Sequence, residues 1–425
     1  MTTHMQVNIA TAAFKANPYR FYARLRAEAP VCTVALPTRE RAYLITRYDD
    51  AAQALKDQRL IKDPRTALTP EQWRKLPMLQ RLARPMMQQM LDQDPPNHTR
   101  LRGLVHKAFT PRRIEQLAER VQHLADELLD AAAPRGEIDL INQYALPIPV
   151  TIIAEMLGVP PADRPTFQRW SNAVVSNTTS RWAMLMTLPT MLRFRNYVRH
   201  LSAQRRADPQ DDLLTALVQA EEAGDQLSED ELVSMVILLL IAGHETTVNL
   251  IGNGTLALLR NPEQRERLQA DPGLIKTAVE ELLRYESPVE MTPERFAAED
   301  VEIGGTVIPR GASVHVVLAS ANRDEAQFPQ ADQLDIARAP NRHLSFGQGI
   351  HYCLGAPLAR LEGQIAITTL LRRMPDLHLA IPDHALPWRA GLVLRGLEAL
   401  PLLFSPAGRR ASYRRDAESA EVMVK

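Results

Sequence analysis

The stretch RHLSFGQGIHYCLGAPLAR, residues 342–360, decides how the rest of the chain is interpreted. Its Cys353 is one of only two cysteines, and glycines at 347 and 349 precede it. Pro357 follows in the predicted first turn of a helix, where its missing N–H has no helical partner. A thiol just before a helix N-terminus faces unpaired N–H groups and the positive end of the helix dipole, which favours the thiolate. The sequence therefore predicts a thiolate presented by a glycine-rich loop.

A thiolate held in such a loop suits an axial ligand of haem iron. The glycines allow a flat or bulky group to approach the backbone closely, and Phe346 supplies an aromatic face. Two alternatives are a buried structural thiol and a zinc site. Zinc needs about four protein ligands in a structural site, and His351 and Cys353 have no partner pair nearby in the sequence.

The pattern Phe346-Gly347-x-Gly349-x-His351-x-Cys353-x-Gly355 resembles the haem-binding loop of the cytochrome P450 family. The resemblance implies haem b as cofactor and Cys353 as the ligand of its iron. It also implies a mainly α fold with a small β-rich lobe and a long central helix over the haem. The loop residues that would surround the cofactor are Phe346, Gly347, His351 and Gly355.

The longest helical pattern runs from Ser228 to Arg260, and Ser228 with Glu231 fits a capping box. A helix that is apolar almost all round must be buried. Its middle is AGHETT, residues 242–247, where a glycine weakens the helix interior and a buried carboxylate is costly. Broken local rules of this kind tend to mark a functional site.

AGHETT resembles the acid–alcohol pair in the central helix of the cytochrome P450 family. The resemblance implies that Glu245 feeds protons inward and that Thr246 hydrogen-bonds bound dioxygen. It places Ala242 and Gly243 against the haem, with Gly243 letting the helix open. The alternative is a helix kink with a satisfied polar pair. The zinc-protease motif HExxH fails because position 248 is valine.

His98 and Arg102 lie four residues apart, so a helix presents both on one face. That spacing is common on solvated faces. The resemblance implies that His98, Arg102, Arg295 and His343 bind the haem propionates, with His351 as a further contact.

Glu281 and Arg284 form an E-x-x-R pattern that places both charges on one helical face. By itself this is a common surface ion pair. The resemblance implies a structural triad closed by Arg338, which fixes the loop that presents Cys353.

Residues 57–93 combine prolines with methionines, which are adaptable apolar fillers. An irregular surface loop is the ordinary interpretation, and the resemblance implies a loop over the substrate pocket. The segment SPVEMTPERFAAEDVEIGG, residues 287–305, resembles family members that act on polyketides, macrolides and other secondary metabolites. By this resemblance we expect the substrate to contact Met86, Leu239, Val289, Thr292, Leu392 and Val393.

The composition excludes several classes of protein. Of the 425 residues, 50 are Lys or Arg and 50 are Asp or Glu, which gives no bias toward nucleic acid or an anionic membrane. The two cysteines are far apart, as expected for a reducing cytoplasm. The N-terminus shows no signal peptide, and the apolar run 232–242 is too short to span a bilayer. We expect a cytoplasmic monomer without a membrane anchor.

The motifs follow in unbroken order, so we predict one domain over residues 15–405 rather than the several that length alone allows. Residues 1–14 would be an N-terminal extension and 406–425 a disordered tail.

The predicted function is insertion of one oxygen atom from O2 into an apolar organic substrate, by hydroxylation or epoxidation. No convincing flavin or nicotinamide site is present, since the Gly252-x-Gly254 pattern lies inside an apolar helix and follows no strand. Electrons would come from NAD(P)H through a ferredoxin reductase and a ferredoxin, which would dock on Arg102, Lys107, Arg112, Arg113 and Arg360. The alternatives are an H2O2-driven peroxygenase and a non-catalytic haem protein that binds a ligand.

Overall fold

The computed structural model describes residues 7–36, 41–68, 89–167, 169–170, 181–222 and 225–406. The predicted tail from residue 407 onward and Met86 lie outside the described residues. Within the predicted N-terminal extension, Ile9 is fully buried among the residues that follow it.

Helices dominate the described chain. In chain order the α-helices are α1 Ala12–Ala16, α2 Tyr19–Glu28, α3 Tyr48–Lys56, α4 Pro64–Ala67, α5 Asn97–Ala108, α6 Pro111–Glu115, α7 Ala118–Ala132, α8 Pro147–Met156, α9 Arg181–Ala207, α10 Leu213–Gln219, α11 Glu229–Arg260, α12 Pro262–Ala270, α13 Ile275–Tyr285, α14 Leu318–Ala321 and α15 Ala356–Arg373. A π-helical turn, Ile141–Ala145, leads into α8.

The strands are short and form small sheets. They are β1 Val31–Ala35, β2 Arg41–Ile45, β3 Leu60–Ile61, β4 Glu137–Asp139, β5 Glu221–Glu222, β6 Asp225–Gln226, β7 Arg295–Ala297, β8 Val301–Ile303, β9 Thr306–Ile308, β10 Ser313–Val316, β11 His378–Leu379 and β12 Pro401–Leu403. The largest sheet has the order β1-β2-β10-β7-β3, and a second has the order β11-β12-β4. This confirms a mainly α fold with a β-rich lobe.

The predicted hairpin at 31–46 is present, with Val31 paired to Ile45 and Ala35 to Arg41. Strand β10 extends it in parallel, and β7 then adds antiparallel to β10. Strand β7 begins at Arg295, so the sheet fixes the backbone of one predicted propionate ligand.

The central helix α11 confirms the predicted bounds and cap. The Ser228 side chain accepts from the Glu231 backbone N–H, and the Glu231 carboxylate accepts from the Ser228 N–H at 2.8 Å. The helix is long and apolar enough to cross a membrane, yet most of it is buried inside the protein. It packs against α8, α13 and α15. Its burial explains its composition, because its apolar faces contact protein on nearly every side.

Candidate active site

The loop that carries Cys353 is held by its own backbone. The Cys353 N–H donates to the Phe346 carbonyl at 2.9 Å, and the Gly347 N–H donates to Leu344 at 2.8 Å. Gly347 and Gly349 both have positive φ angles, of 68° and 72°. A side chain at 349 would also lie 2.9 Å from the Leu55 carbonyl. Glycine is therefore required at 349 both by conformation and by space.

Helix α15 begins directly after the cysteine, as the sequence predicts, with Gly355 as its N-cap. The N–H groups of Gly355 and Ala356 hydrogen-bond the Cys353 sulfur and lower its pKa, as does the guanidinium of Arg102. Burial nevertheless outweighs these effects and raises the pKa of the thiol. The helix terminus therefore favours the thiolate in the predicted direction, although it does not outweigh desolvation in the protein without haem. A metal cation at the sulfur would supply the missing stabilisation, because coordination deprotonates a thiol.

Two histidines and two arginines converge beside this loop. The His98 and His351 rings lie 4.4 Å apart between centroids. Arg102 on α5 donates to the Tyr352 carbonyl at 2.7 Å, which ties the helix to the Cys353 loop. Burial and the neighbouring basic groups Arg295, His98, Lys62 and Arg102 lower the pKa of His351 to about 2. The structure thus brings together His98, Arg102, Arg295 and His351, as the resemblance implies.

The cluster has unused hydrogen-bonding groups. The Nδ1 atom of His98 and the Nε atom of Arg295 are buried with no hydrogen-bond partner among the described residues. Burial lowers the pKa of Arg295 to about 10. Asp94 is the nearby carboxylate, but it accepts from the backbone N–H groups of Lys62 and Asp63. Buried cations with open donors suit a ligand that carries carboxylates.

His343 does not belong to this cluster. Its Nε2 atom lies 3.0 Å from Glu280, and its Nδ1 atom accepts from the Ser345 N–H at 3.2 Å. Both ring nitrogens therefore contact protein groups. In this structure Glu280 on α13, 63 residues away in the sequence, pairs with His343, so propionate binding by His343 stays a prediction. Glu280 also accepts from Arg360 at 2.6 and 2.8 Å.

The middle of α11 presents the acid–alcohol pair. Ala242 is exposed although it lies in the middle of a buried helix, so its side chain faces open space inside the fold. The Thr246 hydroxyl donates to the Ala242 carbonyl at 2.9 Å. Leu239 and Thr246 share the face of Ala242 because they lie three and four residues from it. This face of α11 therefore has room for a ligand.

Gly243 does not open the helix, because α11 is α-helical throughout Glu229–Arg260. The expected opening is not seen in this structure and stays a prediction for the protein with haem bound. A side chain at 243 would meet only Ile153 at 3.9 Å, an ordinary contact. The described residues therefore leave room for a Cβ at this position.

Glu245 is buried and forms an ion pair with Arg389. Arg389 keeps 30% of its side chain exposed, so it reaches from the surface to the central helix. His244 lies 3.9 Å from Glu245, and its Nδ1 atom lies 2.8 Å from the Leu240 carbonyl. Burial lowers the pKa of His244, which keeps that imidazole neutral.

The charged triad forms as the resemblance implies. Arg284 donates to both oxygens of Glu281 at 2.7 and 2.8 Å, and Arg338 donates to both at 3.1 Å. Glu281 and Arg284 are completely buried. Arg284 also donates to the carbonyls of Asn322 and Ala331, so the triad holds the segments that lead to the Cys353 loop.

Two predicted substrate-contacting segments lie side by side. The Glu290 N–H donates to the Val393 carbonyl at 2.8 Å, and Val289 pairs with Leu394. Val289, Leu392 and Val393 are each partly exposed. Thr292 is buried, and its hydroxyl accepts from the Val316 N–H, which pins it to β10.

Comparison with known proteins decides the family. A family model for cytochrome P450 matches residues 193–272 and 273–375. Polyketide biosynthesis cytochrome P450 PksS of Bacillus subtilis (strain 168) is 46% identical over 395 residues, which cover 92% of this chain and 97% of that protein. Cytochrome P450 monooxygenase PikC of Streptomyces venezuelae is 46% identical over 404 residues, covering 94% of each. This chain belongs to the cytochrome P450 family.

Solved structures agree with this assignment. The structure of PksS has a TM-score of 0.87 at 44% identity and covers 94% of this chain and 100% of that one. P450BioI in complex with an acyl carrier protein ligated to hexadec-9Z-enoic acid has a TM-score of 0.84 at 40% identity, covering 92% and 99%. The protein is a cytochrome P450 monooxygenase, and haem b is its cofactor.

The residues present fit the cofactor. Cys353 offers a sulfur that accepts N–H groups, the cationic cluster offers open donors for two propionates, and Ala242 faces open space. Within the described residues, no group of three or more His, Cys, Asp or Glu side chains is arranged to hold a separate metal ion.

Sequence reasoning missed three residues of the site. Lys62 is buried beside Arg295, donates to the carbonyls of Pro293 and Glu294, and has its pKa lowered to about 7 by burial and by Arg295. Arg389 pairs with Glu245 from a segment 144 residues away. Glu362 on α15 is buried without a well-formed hydrogen bond to a described residue. None of the three lies in a recognisable motif, so only the fold reveals them.

Proposed function

We propose that this cytochrome P450 inserts one oxygen atom from O2 into an apolar secondary metabolite of polyketide type. The observation that carries the proposal is the acid–alcohol pair on the open face of α11, where Glu245 and Thr246 adjoin the exposed Ala242. The relative PksS is a polyketide biosynthesis cytochrome P450, and its 46% identity over 92% of this chain supports extending that substrate class to this protein.

The bound haem supplies dioxygen binding and cleavage of the O–O bond, which electron donation from a Cys353 thiolate favours. The hydroxyl proton of Thr246 is donated to the Ala242 carbonyl, so its oxygen lone pairs are free to accept a hydrogen bond from a protonated ligand. Glu245 is the proton carrier behind it. Arg389 pairs with the Glu245 carboxylate and, with 30% of its side chain exposed, links that carboxylate to the surface.

We propose that electrons arrive from a ferredoxin at the surface of the Cys353 loop. Ile350 and Tyr352 are exposed apolar residues there. Lys107 on α5 and Arg112 on α6 are exposed cations. Arg113 pairs with Asp211, and Arg360 pairs with Glu280. We place the docking surface at the exposed apolar pair, with Lys107 and Arg112 at its side.

Two measurements, made one after the other, test the proposal. The ferrous protein with CO should show the long-wavelength Soret band of thiolate-ligated haem. Turnover with NAD(P)H, a ferredoxin and its reductase should then give oxygenated product from a panel of macrolactones and long acyl chains. The panel includes acyl chains on a carrier protein, because P450BioI was solved with such a partner. Product with H2O2 but none with redox partners would instead establish a peroxygenase.

The docking surface is tested by charge reversal. In the double variant Lys107→Glu, Arg112→Glu, ferredoxin should reduce the haem more slowly, and that rate should depend less on salt. The rate of reduction by dithionite should stay unchanged. Equal ferredoxin rates in the variant and the native protein would exclude this surface. We also propose a cytoplasmic location, which the free thiols Cys32 and Cys353 support.

A further inference from the structure

Lys15, near the N-terminus, is completely buried although the proposed chemistry does not use it. Its ammonium lies 2.8 Å from the Glu290 carboxylate, and both side chains are 0% exposed. The same ammonium donates to the Leu392 carbonyl at 3.2 Å. Burial lowers the pKa of Lys15, and the Glu290 carboxylate opposes that change. A lysine is almost never fully buried unless it is paired, so its place in the core needs an explanation.

The two partners of Lys15 belong to the two segments predicted to contact substrate. Glu290 follows Val289, and Leu392 precedes Val393. One ammonium therefore joins the side chain of one segment to the backbone of the other. The Tyr22 hydroxyl donates a second hydrogen bond to the Glu290 carboxylate, so two side chains of the N-terminal region hold this anion.

Backbone contacts strengthen the same junction. The Gly391 N–H donates to the Ala10 carbonyl at 2.9 Å, and the Arg395 side chain donates to the Lys15 carbonyl at 2.8 Å. The Arg395 N–H donates to the Pro288 carbonyl at 3.0 Å. Residues 8–15, 288–292 and 391–395 thus form one connected unit, which we name the N-terminal clamp.

We propose that Lys15 is a positioning residue for substrate selection, because its ammonium ties the 288–292 and 391–395 segments, which flank the pocket and are already joined by backbone hydrogen bonds, to the N-terminal region. This inference rests on the proposed function, because that function makes the space beside these segments a substrate pocket. Lys15 acts through the segments it joins and touches no reacting atom. A charge in this place resists displacement more strongly than apolar packing, because moving either segment leaves a buried ion without its partner.

The first experiment measures backbone hydrogen exchange in the haem-loaded, full-length Lys15→Met protein. Methionine keeps an unbranched side chain and removes the charge. Four amides should exchange faster by on the order of a hundredfold, those of Glu290, Met291, Gly391 and Arg395. The reason is that removing one partner of a buried ion pair lowers the free energy of local opening. The amides of the 343–360 loop should keep their native rates. Unchanged exchange at the four amides would overturn the proposal.

Arg205→Met is the matched control. Arg205 also joins a buried carboxylate, Asp212, to a backbone carbonyl, that of Gly158 at 2.7 Å. It lies outside the N-terminal clamp. This variant should speed exchange around residues 158 and 212 and leave the four clamp amides unchanged. Faster exchange at the clamp in Arg205→Met would show a global effect and refute a specific role for Lys15.

The second experiment separates selection from stability. Imidazole needs only the haem iron, whereas the bulky imidazole clotrimazole also contacts the pocket walls. Lys15→Met should bind imidazole within about twofold of the native protein and clotrimazole about tenfold more weakly, the size expected for one lost wall contact. Lys15→Met with Glu290→Gln should regain stability but not clotrimazole affinity, because Leu392 still lacks its donor. Equal losses of affinity for imidazole and for clotrimazole would contradict a role of Lys15 in substrate selection.

Failure of the proposed function would be recognised separately. A native protein that shows no CO band or no turnover disproves the monooxygenase proposal, while the exchange experiment still reports whether Lys15 joins the two segments. Normal turnover with unaltered exchange in Lys15→Met disproves the clamp alone.

Discussion

Glu362 should make the protein less stable as the pH rises. It lies fully buried in α15 beside Thr247 of α11, and burial raises its pKa from 4.5 to about 8 against a smaller lowering by Thr247. Between these two pH values the folded protein holds a proton that the unfolded chain has released. The contribution of Glu362 to the free energy of unfolding is therefore greatest below pH 4.5 and falls as the pH rises to about 8.

The size of the effect follows from the pKa difference. Each pH unit between the two pKa values changes the free energy of unfolding by about 1.4 kcal/mol. Glu362 therefore lowers stability by about 3 kcal/mol at pH 7 and by at most about 5 kcal/mol above pH 8. Glutamine has nearly the same shape and cannot ionise. Glu362→Gln should remove this pH dependence and replace it with a constant offset of about 1–3 kcal/mol if its amide lacks a partner.

Urea unfolding of the haem-loaded native protein and of Glu362→Gln, at intervals from pH 5 to pH 9, measures the difference. The two stabilities should converge or cross as the pH rises, since only the native protein weakens from this cause. Parallel curves over the whole range would refute the reasoning, because they would mean that Glu362 does not change its protonation on unfolding.

Glu280→Gln is a control of opposite sign. Burial raises the pKa of Glu280, but the hydrogen bonds from Arg360 and His343 dominate and lower it from 4.5 to about 2. Its stabilisation is complete above pH 4.5 and is lost as the pH falls toward 2. Glu280→Gln should therefore be less stable than the native protein at neutral pH, and the difference should shrink in acid.

Further predictions concern the haem site. Cys353→Ser should abolish the long-wavelength CO band, and a retained band would exclude Cys353 as the iron ligand. Thr246→Ala should uncouple NAD(P)H consumption from product and release peroxide, whereas unchanged coupling would count against its role. Arg389→Met should lower the free energy of unfolding by about 2 kcal/mol, because it leaves Glu245 buried without its partner while the arginine it removes is partly exposed; an unchanged urea midpoint would argue against the pair. Arg338→Met should cost about 3–5 kcal/mol and reduce haem content, since Glu281 is fully buried; full haem content would show that the triad is dispensable.

The sequence alone determined the features that depend on local pattern. The capping box of α11, the 31–46 hairpin and the start of α15 after Cys353 follow from residue types a few positions apart, whose interactions act over the same short distance. The cysteine loop was recognisable because its glycines must satisfy positive φ angles and close backbone contact at fixed spacings.

Only the tertiary structure decided how distant charges are paired. Arg389 reaches Glu245, Glu280 captures His343, and Lys15 joins Glu290 to Leu392, although 144, 63 and 275 residues separate the charged partners. The same holds for the pKa of Cys353: the sequence predicts the lowering by the helix terminus, which is local, but not the opposing desolvation, which depends on the whole fold. The spacing of residues along the sequence does not indicate which buried charges form a pair, since pairing depends on desolvation and on distances in the folded chain.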